Sequence, residues 1–88
     1  MAVNIRGKSQ NADDFADRSL AFFFYAGDRE EPRHVHVERD DRIAKFWLDP
    51  IRLQSSGGFP RLEIARIERL VSDHRVQLME AWDEYFGG

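Results

Sequence analysis

The chain has 88 residues, which is enough for one domain with a single hydrophobic core. Hydrophobic residues make up 42% of it and charged residues 33%, a balance that excludes wholesale disorder, and the absence of cysteine excludes disulfides and thiolate metal sites. The formal net charge of −3 disfavours a dedicated nucleic-acid-binding protein, because such proteins usually carry a basic surface, although a nucleic acid partner stays an open alternative.

No stretch of the sequence is suited to a membrane. The longest apolar run, residues 20–26, is far shorter than the ~20 residues that span a bilayer, and no basic and then apolar leader opens the chain. We therefore expect no membrane association and a cytoplasmic location.

The first part of the chain shows no clear hydrophobic period. We predict a poorly ordered N-terminal arm over residues 1–19, with two alternatives for local structure inside it: a short strand at residues 3–6 or one helical turn at residues 13–17. Residues 20–88 are then the single folded domain.

Four strand-like segments follow, separated by turn residues. Aromatic residues dominate positions 20–26, and alternating apolar residues mark 34–38 and 43–48, which favours strands at all three places. A shorter apolar pair marks residues 51–54, after an interruption that contains proline. Because the connections are short and rich in turn-forming residues, we predict an antiparallel meander of three or four strands.

One long helix is predicted at the C-terminus. Pro60 suits the first helical position, and Gly87 with Gly88 supplies a stop signal. Between them, side chains recurring every three or four residues form one mostly apolar stripe: Ile64, Ile67, Val71, His74, Leu78, Trp82 and Tyr85. The sequence therefore predicts an α+β domain in which this single helix packs against the meander.

The predicted helix is too long for the predicted sheet. About 26 helical residues span ~39 Å, whereas a strand of about six or seven residues covers only ~20 to 23 Å. Either the helix bends around residues 72–73, or its far end, with Trp82 and Tyr85, is buried on a second chain. We favour the second alternative, a homodimer through the C-terminal helix, because uncovered apolar patches of this kind are uncommon on monomers.

A pair of histidines stands in the second of these four predicted strands. Because side chains alternate along a strand, His34, His36 and Glu38 share one face, while Val35 and Val37 take the other. We expect the valines to point into the core, which leaves the histidine face as the candidate site.

Two imidazoles and a carboxylate are suitable ligands for a divalent transition metal. Glu38 lies ~13 Å along the strand from His34, so chelation by all three would need a bend or a bulge. A third ligand from the preceding loop, Asp28 or Glu31, is easier to place. A divalent metal ion bound by His34 and His36 is thus one interpretation of the pair, although the simpler interpretations below are favoured and no cofactor is otherwise expected.

Two other interpretations of the pair stay open. His34 and His36 could act as general acid and base on a phosphodiester, with Arg33 stabilising the developing charge. They could instead hydrogen-bond the loop at residues 28–32 or belong to a protein-docking surface. The candidate residues of that surface lie on the histidine strand or near it: Asp28, His34, His36, Glu38 and Trp47.

Several motifs resemble those of a known family. They comprise an aromatic run, a charged turn, the histidine strand, an aromatic strand and a C-terminal helical motif: Phe22-Phe23-Phe24-Tyr25, Asp28, Arg29-Glu30, Pro32, His34-Val35-His36-Val37, Ala44-Lys45-Phe46-Trp47-Leu48, Gly58-Phe59, Ile67-Glu68 and residues 80–87. In their order and spacing, residues 22–87 resemble the family of domains of unknown function numbered 4160. Arg33 departs from the pattern, because many relatives carry a second proline there.

The family consists of small, mostly bacterial proteins, and the resemblance implies the same of this one. The family's members are commonly encoded beside another small protein, in arrangements like toxin–antitoxin pairs. We therefore expect a protein-binding module with a small protein partner, as a component of a toxin–antitoxin-like pair. The alternative is a metal-dependent or nucleolytic hydrolase centred on His34 and His36.

Overall fold

The computed structural model describes residues 2–4 and 19–87, which form an α+β fold, as predicted. Five antiparallel strands lie side by side in chain order: β1 (Ala2–Asn4), β2 (Ala21–Tyr25), β3 (His34–Arg39), β4 (Arg42–Leu48) and β5 (Ile51–Ser55). Strands β2 to β5 form the predicted meander with the larger of the two predicted strand numbers, three or four, and β1 pairs with β2 from within the predicted N-terminal arm. Residues 5–18, with the alternative helical turn at 13–17, lie outside the described residues, as do Met1 and Gly88.

One face of the sheet is apolar and buried. Val37 of β3 lies opposite Phe22 of β2 and Ala44 of β4, and Val35 lies opposite Phe46. All five side chains have a solvent exposure of 0%. Removal of this apolar surface from water is the main source of folding free energy, at about 25 cal/mol per Å².

The predicted apolar stripe covers this face, but it lies on two helices, α1 (Arg61–Asp73) and α2 (Arg75–Phe86). Its buried members all belong to the same core cluster: Ile64, Ile67, Val71, Leu78 and Trp82. Among the described residues, neither helix is long and apolar enough to cross a bilayer.

The prediction of one long helix is wrong, because the helix breaks at His74. This residue has φ −111° and ψ 20°, and its Nδ1–H and backbone N–H both donate to the carbonyl oxygen of Leu70, at 2.9 and 3.1 Å. Arg75 then donates from Nε to the carbonyl oxygen of Leu48 at 2.7 Å and from Nη2 to Asp49 at 2.9 Å. These bonds fix the start of α2 at the end of β4, so the second helix returns over the sheet.

Most of the apolar stripe is buried within the single chain, and the homodimer through the C-terminal helix stays a prediction. Leu78 and Trp82 are 0% and 6% exposed within the single chain, and Met79 and Phe86 pack against the same core. Tyr85 keeps 42% of its surface exposed. Of the two alternatives for the long stripe, the structure therefore shows the bend.

Candidate metal centre

Strand β3 places both histidines on the side opposite its buried valines, with His34 at the end of the strand that α2 reaches. Because side chains alternate, the rings of His34 and His36 leave the strand on the side opposite the buried Val35 and Val37. His34 opens the strand and is wholly buried, whereas the side chain of His36 is 11% exposed. The two rings are in edge contact, with their centroids 5.0 Å apart. The histidine face is therefore packed and not a free surface.

Asp28 joins the two histidines from a short 3-10 helix, Ala26–Glu30, that connects β2 to β3. Its Oδ2 atom accepts a hydrogen bond from the backbone N–H of Tyr25 at 2.8 Å. The same oxygen lies 2.9 Å from Nε2 of His34 and 3.2 Å from Nε2 of His36. Three nitrogen atoms thus converge on one carboxylate oxygen.

The hydrogen bonding of His34 indicates which of its ring nitrogens carries the proton. Nδ1 lies 2.8 Å from the carbonyl oxygen of Pro32, so Nδ1–H donates to that oxygen. In the neutral ring, Nε2 then carries a lone pair. This atom is buried and has no hydrogen-bond partner among the described residues, since its near neighbour, the carboxylate of Asp28, is itself an acceptor. Two buried acceptors that face each other cost free energy unless a cation lies between them.

Aromatic side chains hold both imidazoles in place. Phe23 stacks on His36, with ring centroids 5.3 Å apart and planes 22° from parallel. His34 contacts Trp47 of β4 and Trp82 of α2, at centroid distances of 5.6 and 4.9 Å. Packing therefore restricts the orientation of both rings, which is what a preformed set of ligands requires.

The surroundings favour the deprotonated forms of His36 and Asp28. Burial, and then the neighbouring His34, lower the pKa of His36 below its ordinary value of 6.5, against the opposing effect of Asp28. Burial works against ionisation of Asp28, but the hydrogen bond from the backbone N–H of Tyr25 leads the effects that hold the pKa of Asp28 below its ordinary 3.8. At neutral pH the site thus presents a carboxylate and a neutral His36, which are the protonation states that metal ligands need.

The spacing of the three side chains fits one metal ion. One ligand atom each from Asp28, His34 and His36 lies within 4.8 Å of the other two. In a tetrahedral site with bonds of ~2.1 Å, ligand atoms lie ~3.4 Å apart, so small side-chain rotations would bring these three atoms to a common ion. Two imidazoles and one carboxylate are a donor set that zinc and other divalent transition metals accept.

The other predicted site residues lie outside this triad. Glu38 stands further along β3 and is not part of the cluster found among the described residues. Arg33 binds Asp83 of α2, with Nε and Nη2 both 2.6 Å from Oδ1. Trp47 forms a wall of the site by packing on His34.

The hydrogen bond of His34 to the carbonyl oxygen of Pro32 falls within one predicted alternative, in which the histidines hydrogen-bond the loop at residues 28–32. Sequence reasoning missed the contact of His34 with the indole of Trp82, because that side chain reaches the site from α2 through the tertiary fold. Asp28 was one of two loop candidates, and the 3-10 helix is what selects it.

Comparison with known protein families gives a match over most of the chain. No curated protein and no solved structure matches the chain. The model of a family described as a domain of unknown function (DUF4160) matches residues 20–83, which include β2 to β5, α1 and the complete triad. Because the match covers well over half of the sequence, the chain belongs to the DUF4160 family.

Proposed function

We propose that the protein is a small metal-binding domain that holds one divalent transition-metal ion, with zinc the best suited, between Asp28, His34 and His36. The observation that carries the proposal is the buried Nε2 of His34, which has no hydrogen-bond partner among the described residues and faces the carboxylate of Asp28. A cation bound there would satisfy the lone pair and the carboxylate together.

The groups around the triad support this assignment. A metal-bound histidine usually donates its other ring N–H to a carbonyl or carboxylate, as His34 does to Pro32. The backbone N–H of Tyr25 orients the carboxylate of Asp28 in a similar way. The lowered pKa of His36 favours the neutral imidazole, so a metal would have few protons to displace at neutral pH.

Isothermal titration of metal-free protein with Zn²⁺ tests the proposal. We expect one ion per chain, and we expect His34→Ala, His36→Ala and Asp28→Asn each to weaken binding by about 100-fold or more, since each removes a ligand. His74→Gln is the matched control, because it removes a histidine outside the triad and should leave the affinity unchanged. Wild-type binding no tighter than that of the His34→Ala variant would overturn the proposal.

A metal-dependent hydrolase is the alternative function. Three protein ligands with one further coordination position are typical of catalytic zinc, which activates a bound water. A nucleolytic acid and base pair without metal has less support, because His34 is 0% exposed and Arg33 is engaged by Asp83. Hydrolysis of bis(4-nitrophenyl) phosphate in proportion to zinc occupancy, lost in His36→Ala, would support the alternative. A rate equal to that of buffered zinc would rule it out for phosphodiesters.

Binding of a small protein, as in a toxin–antitoxin-like pair, is the second candidate. It is supported by apolar side chains that stay exposed on the helices, Leu62 at 84% and Val76 at 64%. Co-purification with the product of the neighbouring gene tests it. The Leu62→Ser and Val76→Ser variants should bind that product about 10-fold more weakly, as expected for interface residues. Full retention by both variants would exclude this surface.

A further inference from the structure

Glu31 lies directly beside the triad. It follows the 3-10 helix that carries Asp28, and its backbone N–H donates to the carbonyl oxygen of Asp28 at 2.9 Å. The turn that positions one carboxylate of the site therefore also positions a second.

The side chain of Glu31 pairs with a lysine that neighbours the histidines. Its Oε1 lies 2.5 Å from Nζ of Lys45, and Lys45 stands directly opposite His36 in the register of β3 and β4. The same Nζ lies 4.7 Å from the centre of the Trp47 ring, which packs against His34. The carboxylate also interacts electrostatically with His34 and Asp28, although it is not among the ligand atoms that already converge.

The triad alone would not neutralise a bound divalent ion or fill its coordination positions. Asp28 and two neutral imidazoles supply three ligands and one negative charge, so a divalent ion would keep a net charge of about +1 and one coordination position would need a fourth donor. The side chain of Glu31 is 45% exposed, so solvent screens its ion pair with the less exposed Lys45 and limits the free energy that the pair contributes. That pairing can therefore be exchanged at little cost.

We propose that Glu31 is the fourth ligand of the metal centre and that its carboxylate leaves Lys45 for the ion when the metal binds. This inference rests on the proposed triad site. Lys45 then acts as a competitor for the fourth ligand, and metal binding frees its ammonium group. The hydrogen bond from Lys45 also lowers the pKa of Glu31, so the carboxylate is already ionised at neutral pH.

Zn²⁺ titration of three variants tests the fourth ligand. Glu31→Gln keeps the shape of the side chain and removes its charge, and we expect the zinc affinity to fall by about 10-fold or more. Lys45→Met removes the competitor and should raise the affinity severalfold. Glu30→Gln is the matched control, because Glu30 is the exposed neighbour in the same turn and its variant should bind zinc as the wild type does.

A second measurement follows Lys45 itself. Zinc should increase the rate at which an amine-reactive acetylating reagent modifies Lys45 in the wild type, because the carboxylate partner leaves. Unchanged zinc affinity in Glu31→Gln, with binding still lost in His34→Ala, would mean that water fills the fourth position and would overturn this inference alone. Absence of zinc binding in the wild type would overturn it together with the triad site.

Discussion

Nε2 of His34 lies 2.9 Å from Oδ2 of Asp28, while Nδ1 of the same ring is committed to the carbonyl oxygen of Pro32. Either a cation between the two atoms or a second proton on His34 would resolve this contact between acceptors. We favour the metal ion, because His36 faces the same oxygen from 3.2 Å and has a lowered pKa, so a second neutral imidazole is already directed at that point. The two possibilities differ in their response to zinc and to pH.

Zinc should stabilise the fold through these residues. A ligand that binds only the folded state at a free concentration of about 100 times its Kd adds about 2.7 kcal/mol to the free energy of unfolding. We expect this increase in urea melts of the wild type and of His74→Gln, and no increase for His34→Ala. An equal increase in the His34→Ala variant would mean that zinc binds elsewhere.

Trp82 should be a principal anchor of the fold. It is 6% exposed and its ring packs against those of Phe24, His34 and Phe86. Trp82→Ala should therefore reduce the free energy of unfolding by about 3 to 5 kcal/mol, measured by urea denaturation. Tyr85→Ala, at a half-exposed position of the same helix, should cost less than half as much. A loss below about 1 kcal/mol for Trp82→Ala would contradict the packing of α2 on the sheet.

Gly57 should tolerate no side chain. Its φ of +60° is unfavourable for other residues, and a Cβ atom there would lie 1.8 Å from the carbonyl oxygen of Ile43. We expect Gly57→Ala to cost about 2 to 4 kcal/mol, from the backbone conformation and the overlap together. Gly27→Ala is the control, since a Cβ at Gly27 meets no atom within 4 Å. Equal thermal midpoints for the two variants would refute this description of the turn before α1.

Acid should destabilise the metal-free protein in two steps. The folded-state pKa of His36 lies below its ordinary value of 6.5. As the pH falls, the His36 ring is therefore protonated in the unfolded chain before it is protonated in the folded one. The free energy of unfolding consequently decreases as the pH drops below about 6.5. The pKa of Asp28 is also lowered, so its contribution is present above about pH 3.8 and is lost as the pH falls through its folded-state value. Urea melts with chelator at about pH 7 and about pH 5 should show a smaller decrease for His36→Gln than for the wild type. A free energy of unfolding of the wild type that rises towards about pH 5 would contradict the lowered pKa of His36.

Much of the fold follows from local patterns. Alternation along residues 34–38 is enough to place Val35 and Val37 in the core with the histidines on the other face, because a strand has a strict two-residue period. The helical stripe likewise predicts that Leu78 and Trp82 are buried. The three- and four-residue spacing of the stripe continues across His74, so periodicity alone does not predict that the helix breaks there.

The site was less predictable because it depends on contacts between distant parts of the chain. Metal-type ligands could be recognised in His34 and His36 from residue type and spacing, but selecting Asp28 over Glu31 required the geometry of the 3-10 helix. The burial of His34 required Trp82, which no local pattern connects to it. Because the side chain of His34 is buried, the histidine strand is better suited to a metal centre than to a docking surface.

Long-range ¹H–¹⁵N correlation spectra of the histidine side chains, recorded with and without one equivalent of Zn²⁺, test the metal centre most directly. Without metal, Nδ1 of His34 should carry the proton that it donates to the carbonyl oxygen of Pro32. With zinc, the Nε2 resonances of His34 and His36 should shift while those of His74 stay in place. A His34 ring protonated at both nitrogens, with no response to zinc, would contradict the proposed metal centre.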